Sequence, residues 1–310
     1  MNRTLLCLAL GGSLAAGAVA APAYAAPLAS GLLQNVTALS ALPSDTTELP
    51  LPTTRNGQQI LADFRDGLAD RQCDPGATHP RWTKHFAHAP SRLGNGEDDA
   101  LMLFGYVVDE LRNAGLPTEF ALIPFVESGY RPHARNGAGP AGLWQFIATT
   151  ARNHNVTMEK GYDGRLSPVE STRAAMRYLK TLYGMFGGDW RLTVMAYNAG
   201  EYRILQAMRR AGMTVDNARP AKLPGLSQAT YQYVEKLHAL ACVLEKVETQ
   251  QSQLAQLDRP VPILDSHQLP AGTDLSKWSV HNAMDPERIA RLVGPPALGF
   301  VGQALGLSSR

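Results

Sequence analysis

The sequence predicts a mainly α-helical protein on three grounds. Apolar stripes recur at helical spacing, start and stop residues fit helix ends, and no segment alternates polar and apolar between turn signals. At 310 residues, 45% hydrophobic and 18% charged, the chain has ordinary globular composition and is long enough for one large domain or two small ones. A formal charge of +2 gives no reason to expect nucleic acid or an anionic membrane surface as a partner.

Residues 1–25 read as a secretory signal peptide. Arg3 precedes an apolar run that ends in two A-x-A sites, Ala18-Val19-Ala20 and Ala23-Tyr24-Ala25. Cys7 lies inside the apolar run, too early for a lipid-attachment cysteine, and no later stretch reaches the roughly 18 apolar residues of a spanning helix. The expectation is an exported protein, periplasmic or secreted, with no firm membrane anchor; a retained N-terminal anchor is the alternative. Residues 26–55, rich in Ala, Ser, Thr, Leu and Pro, read as a linker.

From 56 to 250 the pattern is repeatedly helical. Leu101, Phe104, Val107, Val108 and Leu111 share one face of a helix that stops at Gly115. Ser167, Pro168 and Glu170 make an N-cap, a first-turn proline and a capping box, and Gly187-Gly188 ends that helix. Asp189 caps the next helix, which stops at Asn198-Ala199-Gly200, and another runs on to Gly212. A long helix from Ser227 to Val247 presents Val234, Leu237, Leu240 and Leu244 on one stripe. Residues 251–310 are turn-rich, with one short helix predicted at "DPERIARLVG", and form a C-terminal tail of unassigned role.

Glu127 stands out because it ends the apolar run "ALIPFVESGY". A helix opened by Pro117 would put Phe120, Ile123 and Glu127 on one face, with the carboxyl emerging from the core side and Pro124 bending the helix just before it. Desolvation there keeps a carboxyl protonated, as a general acid requires. Pairing with Arg131 or Arg135 is the plainer alternative. In "GAGPAGLWQF", glycines let backbone approach a ligand, Gln145 offers polar edges and Trp144 a flat apolar face, a combination that suits a sugar. A glycine-rich loop with two core aromatics fits as well. In "AYNAG", Asn198 fits a left-handed helix C-cap, which leaves Tyr197 unexplained. Cys73 and Cys242 form one disulfide or two separate buried thiols. His85-x-x-His88 has no second ligand pair, so no metal site is expected.

"ES" at 127–128, "GLWQF" at 142–146 and "AYNAG" at 196–200, in that order, resemble the family 1 lytic transglycosylases (SLT domain), and among them the membrane-bound lytic murein transglycosylase D group. "YDGR" at 162–165, "STRAAMRYL" at 171–179, "MFGGDW" at 185–190 and "YVEKLHALA" at 233–241 extend the resemblance over roughly 92–247, with the motif core at 115–240. The resemblance implies a lysozyme-like (SLT/goose-type-like) helical domain with a substrate groove. It implies cleavage of the MurNAc-β-1,4-GlcNAc bond of peptidoglycan strands without water, leaving 1,6-anhydroMurNAc ends and using no cofactor. Glu127 aligns with the single catalytic acid; Ser128, Gln145, Tyr197, Asn198 and Tyr233 align with residues that contact substrate or orient it. Hydrolysis of the same bond by a muramidase, or silent peptidoglycan binding, are the alternatives. "IATT" at 147–150, Tyr202 and Ala229 depart from the family's usual residues, and no LysM-type repeat is legible after Gln250. Whether the protein serves wall turnover, a secretion machine or attack on competitors is open.

Overall fold

The computed structural model describes residues 53–77, 79–137, 139–268, 273–281, 285–293 and 303–307. The expected signal peptide and nearly all of the expected linker lie outside the described residues. β1 (Thr54–Asn56) leads into α1 (Gly57–Asp66), where the Asn56 side chain accepts from Gln58 N at 2.8 Å and caps the first turn. Two short helices follow, α2 (Pro80–Phe86) and α3 (Ala89–Gly94). α4 (Ala100–Asn113) is apolar on nearly every side. Its expected stripe is buried, and so are Met102, Leu103 and Tyr106 on other faces, so it is surrounded by neighbours rather than lying on the surface.

The expected helix from Pro117 divides in two. Thr118–Leu122 is a 3₁₀ turn, and α5 (Ile123–Glu127) begins there, with Pro124 in its first turn. A proline has no N–H to give, so it starts a helix more readily than it continues one. After α6 (Ala148–Asn153), β2 (Met158–Glu159) pairs antiparallel with β3 (Tyr162–Asp163). α7 (Pro168–Met185) is capped by Ser167, which accepts from Glu170 N at 3.3 Å. The Glu170 carboxylate does not close the expected capping box. It turns outward and accepts from Tyr162 O–H at 2.6 Å and Thr157 N at 3.0 Å, bracing the β2–β3 hairpin.

α8 (Trp190–Ala199) starts at Asp189, whose carboxylate accepts from Arg191 N and Leu192 N. α9 (Glu201–Arg210) and α10 (Gln228–Glu245) complete the helical body. The largest core cluster gathers α1, α4, α5, α7 and α10. A second cluster of Leu182, Phe186, Leu192, Met195, Ile204 and Met208 joins the end of α7 to α8 and α9, and Tyr178, Tyr197 and Val234 border both.

The C-terminal segment is more ordered than its turn-rich composition suggests. α11 (Gln251–Leu257) is followed by β4 (Pro260–Pro262), antiparallel to β1 with Arg55 opposite Val261. β5 (Leu264–Gln268), α12 (Leu275–His281), α13 (Pro286–Val293) and β6 (Gln303–Leu307) complete it, β5 and β6 pairing antiparallel. Leu257, Val261, Leu264, Ile289 and Leu292 are buried in the main core. Cys73 and Cys242 form a disulfide that ties the loop after α1 to α10, with 5.4 Å between their Cα atoms. Glu245 lies beside them, but the bond has consumed both thiolates as metal ligands. No helix among the described residues is long and apolar enough to cross a membrane.

Candidate active site

Glu127 is placed by anchors on both sides. Ahead of it, Thr118 N donates to Gly67 O at 3.0 Å, and the buried Glu119 carboxylate accepts from Ala69 N at 3.0 Å and Asp70 N at 2.9 Å. Those bonds satisfy a carboxylate that could not otherwise be buried, and they fix the 3₁₀ turn to the end of α1. Behind Glu127, Gly129 (φ 59°) and Tyr130 (φ 54°) are both left-handed and reverse the chain. Tyr130 is buried, with its hydroxyl donating to Ala121 O at 2.8 Å, and that packing holds a conformation non-glycine residues rarely adopt.

The carboxyl thus sits at the end of a one-turn helix, half-buried. Tyr233 O–H, from α10, donates to Glu127 Oε1 at 2.5 Å. Burial pushes the Glu127 carboxyl above the usual carboxylate range, and the Tyr233 hydrogen bond and the Lys236 charge partly offset that shift. Neither arginine offered as a partner reaches it: Arg131 Nε donates to Ser128 O at 2.9 Å, and Arg135 pairs with Asp163.

The glycine-rich loop forms the next wall. Gly142 (φ 81°) packs directly on the Arg165 backbone carbonyl. The Arg165 guanidinium donates to Gly139 O at 2.7 Å and Phe146 O at 3.0 Å and pairs with Asp163 at 2.8 Å, so "YDGR" pins the loop. Asp163 is thereby committed to Arg165 and Arg135. Trp144 is not a sugar platform: it is fully buried, with its indole N–H donating to Thr172 Oγ1 at 3.0 Å. The left-handed turn at Gln145 (φ 48°) sends neighbouring side chains in opposite directions, Trp144 into the core and Gln145 toward the cleft. Ser128 is also buried, its hydroxyl donating to Leu143 O at 2.8 Å, so it joins the Glu127 turn to this loop instead of facing the cleft.

α8 supplies the third wall. Tyr197 O–H donates to Trp144 O at 2.6 Å, locking α8 to the loop. Asn198 stays helical and exposed; the left-handed cap falls on Gly200 (φ 88°), so capping does not account for the asparagine. Glu127, Gln145, Phe146, Tyr178, Tyr197 and Asn198 line one cleft of about 430 Å³. A larger cavity, about 800 Å³, lies beside Arg92, Asp98 and Arg131. Its three arginines, Arg92, Arg131 and Arg135, are engaged by Asp98, the Ser128 carbonyl and Asp163.

The sequence profile of the transglycosylase SLT domain matches residues 108–219. That span is similar to a transglycosylase SLT domain. Over 140 residues it is 40% identical to membrane-bound lytic murein transglycosylase D of Escherichia coli (strain K12), a match spanning 45% of this chain and 31% of that protein. It is 38% identical over 103 residues to a putative tributyltin chloride resistance protein of Alteromonas sp. (strain M-1), spanning 33% of this chain and 50% of that protein. A solved inactive mutant of lytic transglycosylase Slt from Pseudomonas aeruginosa overlaps 64% of this chain and 31% of its own. That overlap has 19% identity and a TM-score of 0.38, too loose a likeness to bear on the fold.

Within the matched span lie Glu127, Ser128, Gln145, Tyr197 and Asn198; Tyr233 lies outside it and still bonds the Glu127 carboxyl. Two cleft residues were missed by sequence reasoning. Tyr178 and Glu201 both line the cleft, and Tyr178 O–H donates to the Glu201 carboxylate at 3.3 Å. The one available signal for Glu201 was its place directly after "AYNAG".

Proposed function

We propose that this chain is an exported, periplasmic peptidoglycan lytic transglycosylase on a lysozyme-like scaffold, with Glu127 as its single acid and base. The observation that carries this is the Glu127 carboxyl, whose proton affinity burial raises, bonded by Tyr233 in a cleft with Gln145, Tyr197 and Asn198. Glu127 gives its proton to the oxygen linking MurNAc C1 to GlcNAc C4, and the C1–O bond breaks. The substrate's N-acetyl group stabilises the cationic C1. The muramyl C6 hydroxyl then attacks C1 and returns its proton to Glu127, closing the 1,6-anhydro ring and restoring the acid. Gln145, whose amide nitrogen donates to Gly142 O at 2.8 Å and Ala134 O at 3.2 Å, offers its amide oxygen to the sugar and Asn198 its whole amide, while Ser128, Tyr197 and Tyr233 hold loop, helix and acid in place. The name of the Escherichia coli relative, a lytic murein transglycosylase, supports the same reading.

One observation favours hydrolysis as the second reading. Glu201 puts a second carboxylate in the cleft, and hydrolytic glycosidases use a pair. Mass spectrometry of muropeptides released from purified sacculi separates the two. Anhydro ends that disappear with Glu127→Gln and persist with Glu201→Gln are the expected result. Reducing ends that vanish with Glu201→Gln would mean a muramidase, and wild-type release by Glu127→Gln would sink both.

A further inference from the structure

The cleft does not end at Gly200. A second depression of about 440 Å³ shares Ala199 and Gly200 with it and continues along α9 over Tyr202, Arg203, Gln206 and Arg209. An added Cβ on Gly200 would meet nothing within 4 Å, so the floor between the two is open. Tyr202, Gln206 and Arg209 are spaced at four and seven, which puts them on one exposed face of α9, with Arg203 beside them. Ile204, Ala207 and Met208 occupy the opposite, buried face.

This face has features that a merely solvated helix surface does not explain. Tyr202 is 78% exposed, more than any other large apolar side chain described. Arg203 stands in the first turn of α9, at the positive end of the helix dipole, where a cation is unfavourable. Neither the Arg203 nor the Arg209 side chain makes an ion pair or hydrogen bond with any described residue, and no carboxylate lines the depression. Two uncommitted guanidinium groups in an acid-free hollow make a receptor for carboxylates.

Resting on the reading of the cleft as a peptidoglycan site, we propose that this second depression binds the acidic peptide stem carried by the muramyl sugar. The enzyme would then act preferentially on strands that still bear stems. The dimensions fit. Gly200 to Arg209 spans roughly 13 Å of helix, and an extended stem of three to five residues spans roughly 10–17 Å. Arg203 and Arg209 take stem carboxylates, Gln206 a stem amide, and Tyr202 forms the apolar wall where stem and sugar diverge.

The test uses the full chain carrying Glu127→Gln, so that strands are held without being cut, with and without R203Q and R209Q. Each protein is sedimented with glycan strands bearing stems and with strands stripped of stems by an amidase. The expected result is about tenfold weaker binding to stem-bearing strands, the scale of two exposed charge-assisted contacts, and less than about a twofold change on stripped strands. The R203K/R209K pair should keep most of the affinity. Equal weakening on both strand types, or no weakening on either, would overturn the stem site alone. A parent protein that binds neither strand type would overturn the cleft assignment with it.

Discussion

Gly142→Ala is the sharpest test of how the loop holds the cleft. The residue lies at φ 81°, where an L side chain costs about 1–2 kcal/mol. An added Cβ would also sit 2.7 Å from the Arg165 carbonyl carbon and closer still to its oxygen, so backbone must part. Parting the two segments breaks Gly142 N to Ala134 O at 2.8 Å and loosens the Arg165 bonds to Gly139 O and Phe146 O. Adding about 1 kcal/mol for the broken neutral bond and about 1.5–3 for the two loosened charged bonds together to that strain, the loss comes to about 4–6 kcal/mol. Where the domain survives it, Gln145 and the Trp144 carbonyl that receives Tyr197 are displaced, and a shift of about 1 Å costs about a hundredfold in rate. Urea denaturation reads the stability and muropeptide release at low temperature reads the rate. Gly137→Ala is the control, because nothing lies within 4 Å of its added Cβ. A Gly142→Ala protein within about 1 kcal/mol of wild type and fully active would refute the packing account.

The other predictions concern the disulfide and the acid. The Cys73–Cys242 bond closes a loop across 169 residues, and its removal by Cys73→Ser/Cys242→Ser should cost about 2–5 kcal/mol. That is about 4–20 °C in Tm for a domain of this size, read by thermal melts with and without reductant; coincident melts would contradict a formed bond. Glu127 has a folded value above its ordinary one near 4.5, so the stability of its protonated form is complete below that value and is lost as pH rises through the folded one. Glu127→Gln cannot lose a proton. It should melt with wild type near about pH 4 and above it at about pH 8. Equal melting temperatures at both would mean that the carboxyl is not desolvated.

Local signals were the legible ones. Ser167 and Asp189 announce helix starts because a cap acts within three residues, and the α4 stripe is legible because burial follows a short period. What escaped depends on residues far apart in the chain. β1 pairs with β4 some 200 residues later, so neither strand is visible in its own neighbourhood. Trp144 and Gln145 were both read as facing a sugar, because composition gives no sign that a left-handed turn will send them opposite ways. Asn198 was read as a cap although Gly200, two residues on, takes the left-handed position without steric cost. Tyr233 came from family resemblance; helical periodicity alone does not single out a tyrosine 106 residues from the acid it bonds.

The acid also depends on parts of the chain outside the matched SLT span. Burial raises the Glu127 carboxyl, and both groups that offset this, Tyr233 and Lys236, stand one turn apart on α10, beyond residue 219. α10 is in turn fixed by Ser227 at its start and by the Cys242 bond to Cys73 toward its end. The 3₁₀ turn ahead of Glu127 hangs from the end of α1 through Glu119, again outside the span. A fragment limited to residues 108–219 would keep Glu127, Gln145, Tyr197 and Asn198 and lose the partners that set the proton affinity of the acid. The environment of the Glu127 carboxyl therefore belongs to the larger unit, in which α1 and α10 clamp the short helix that ends at Glu127.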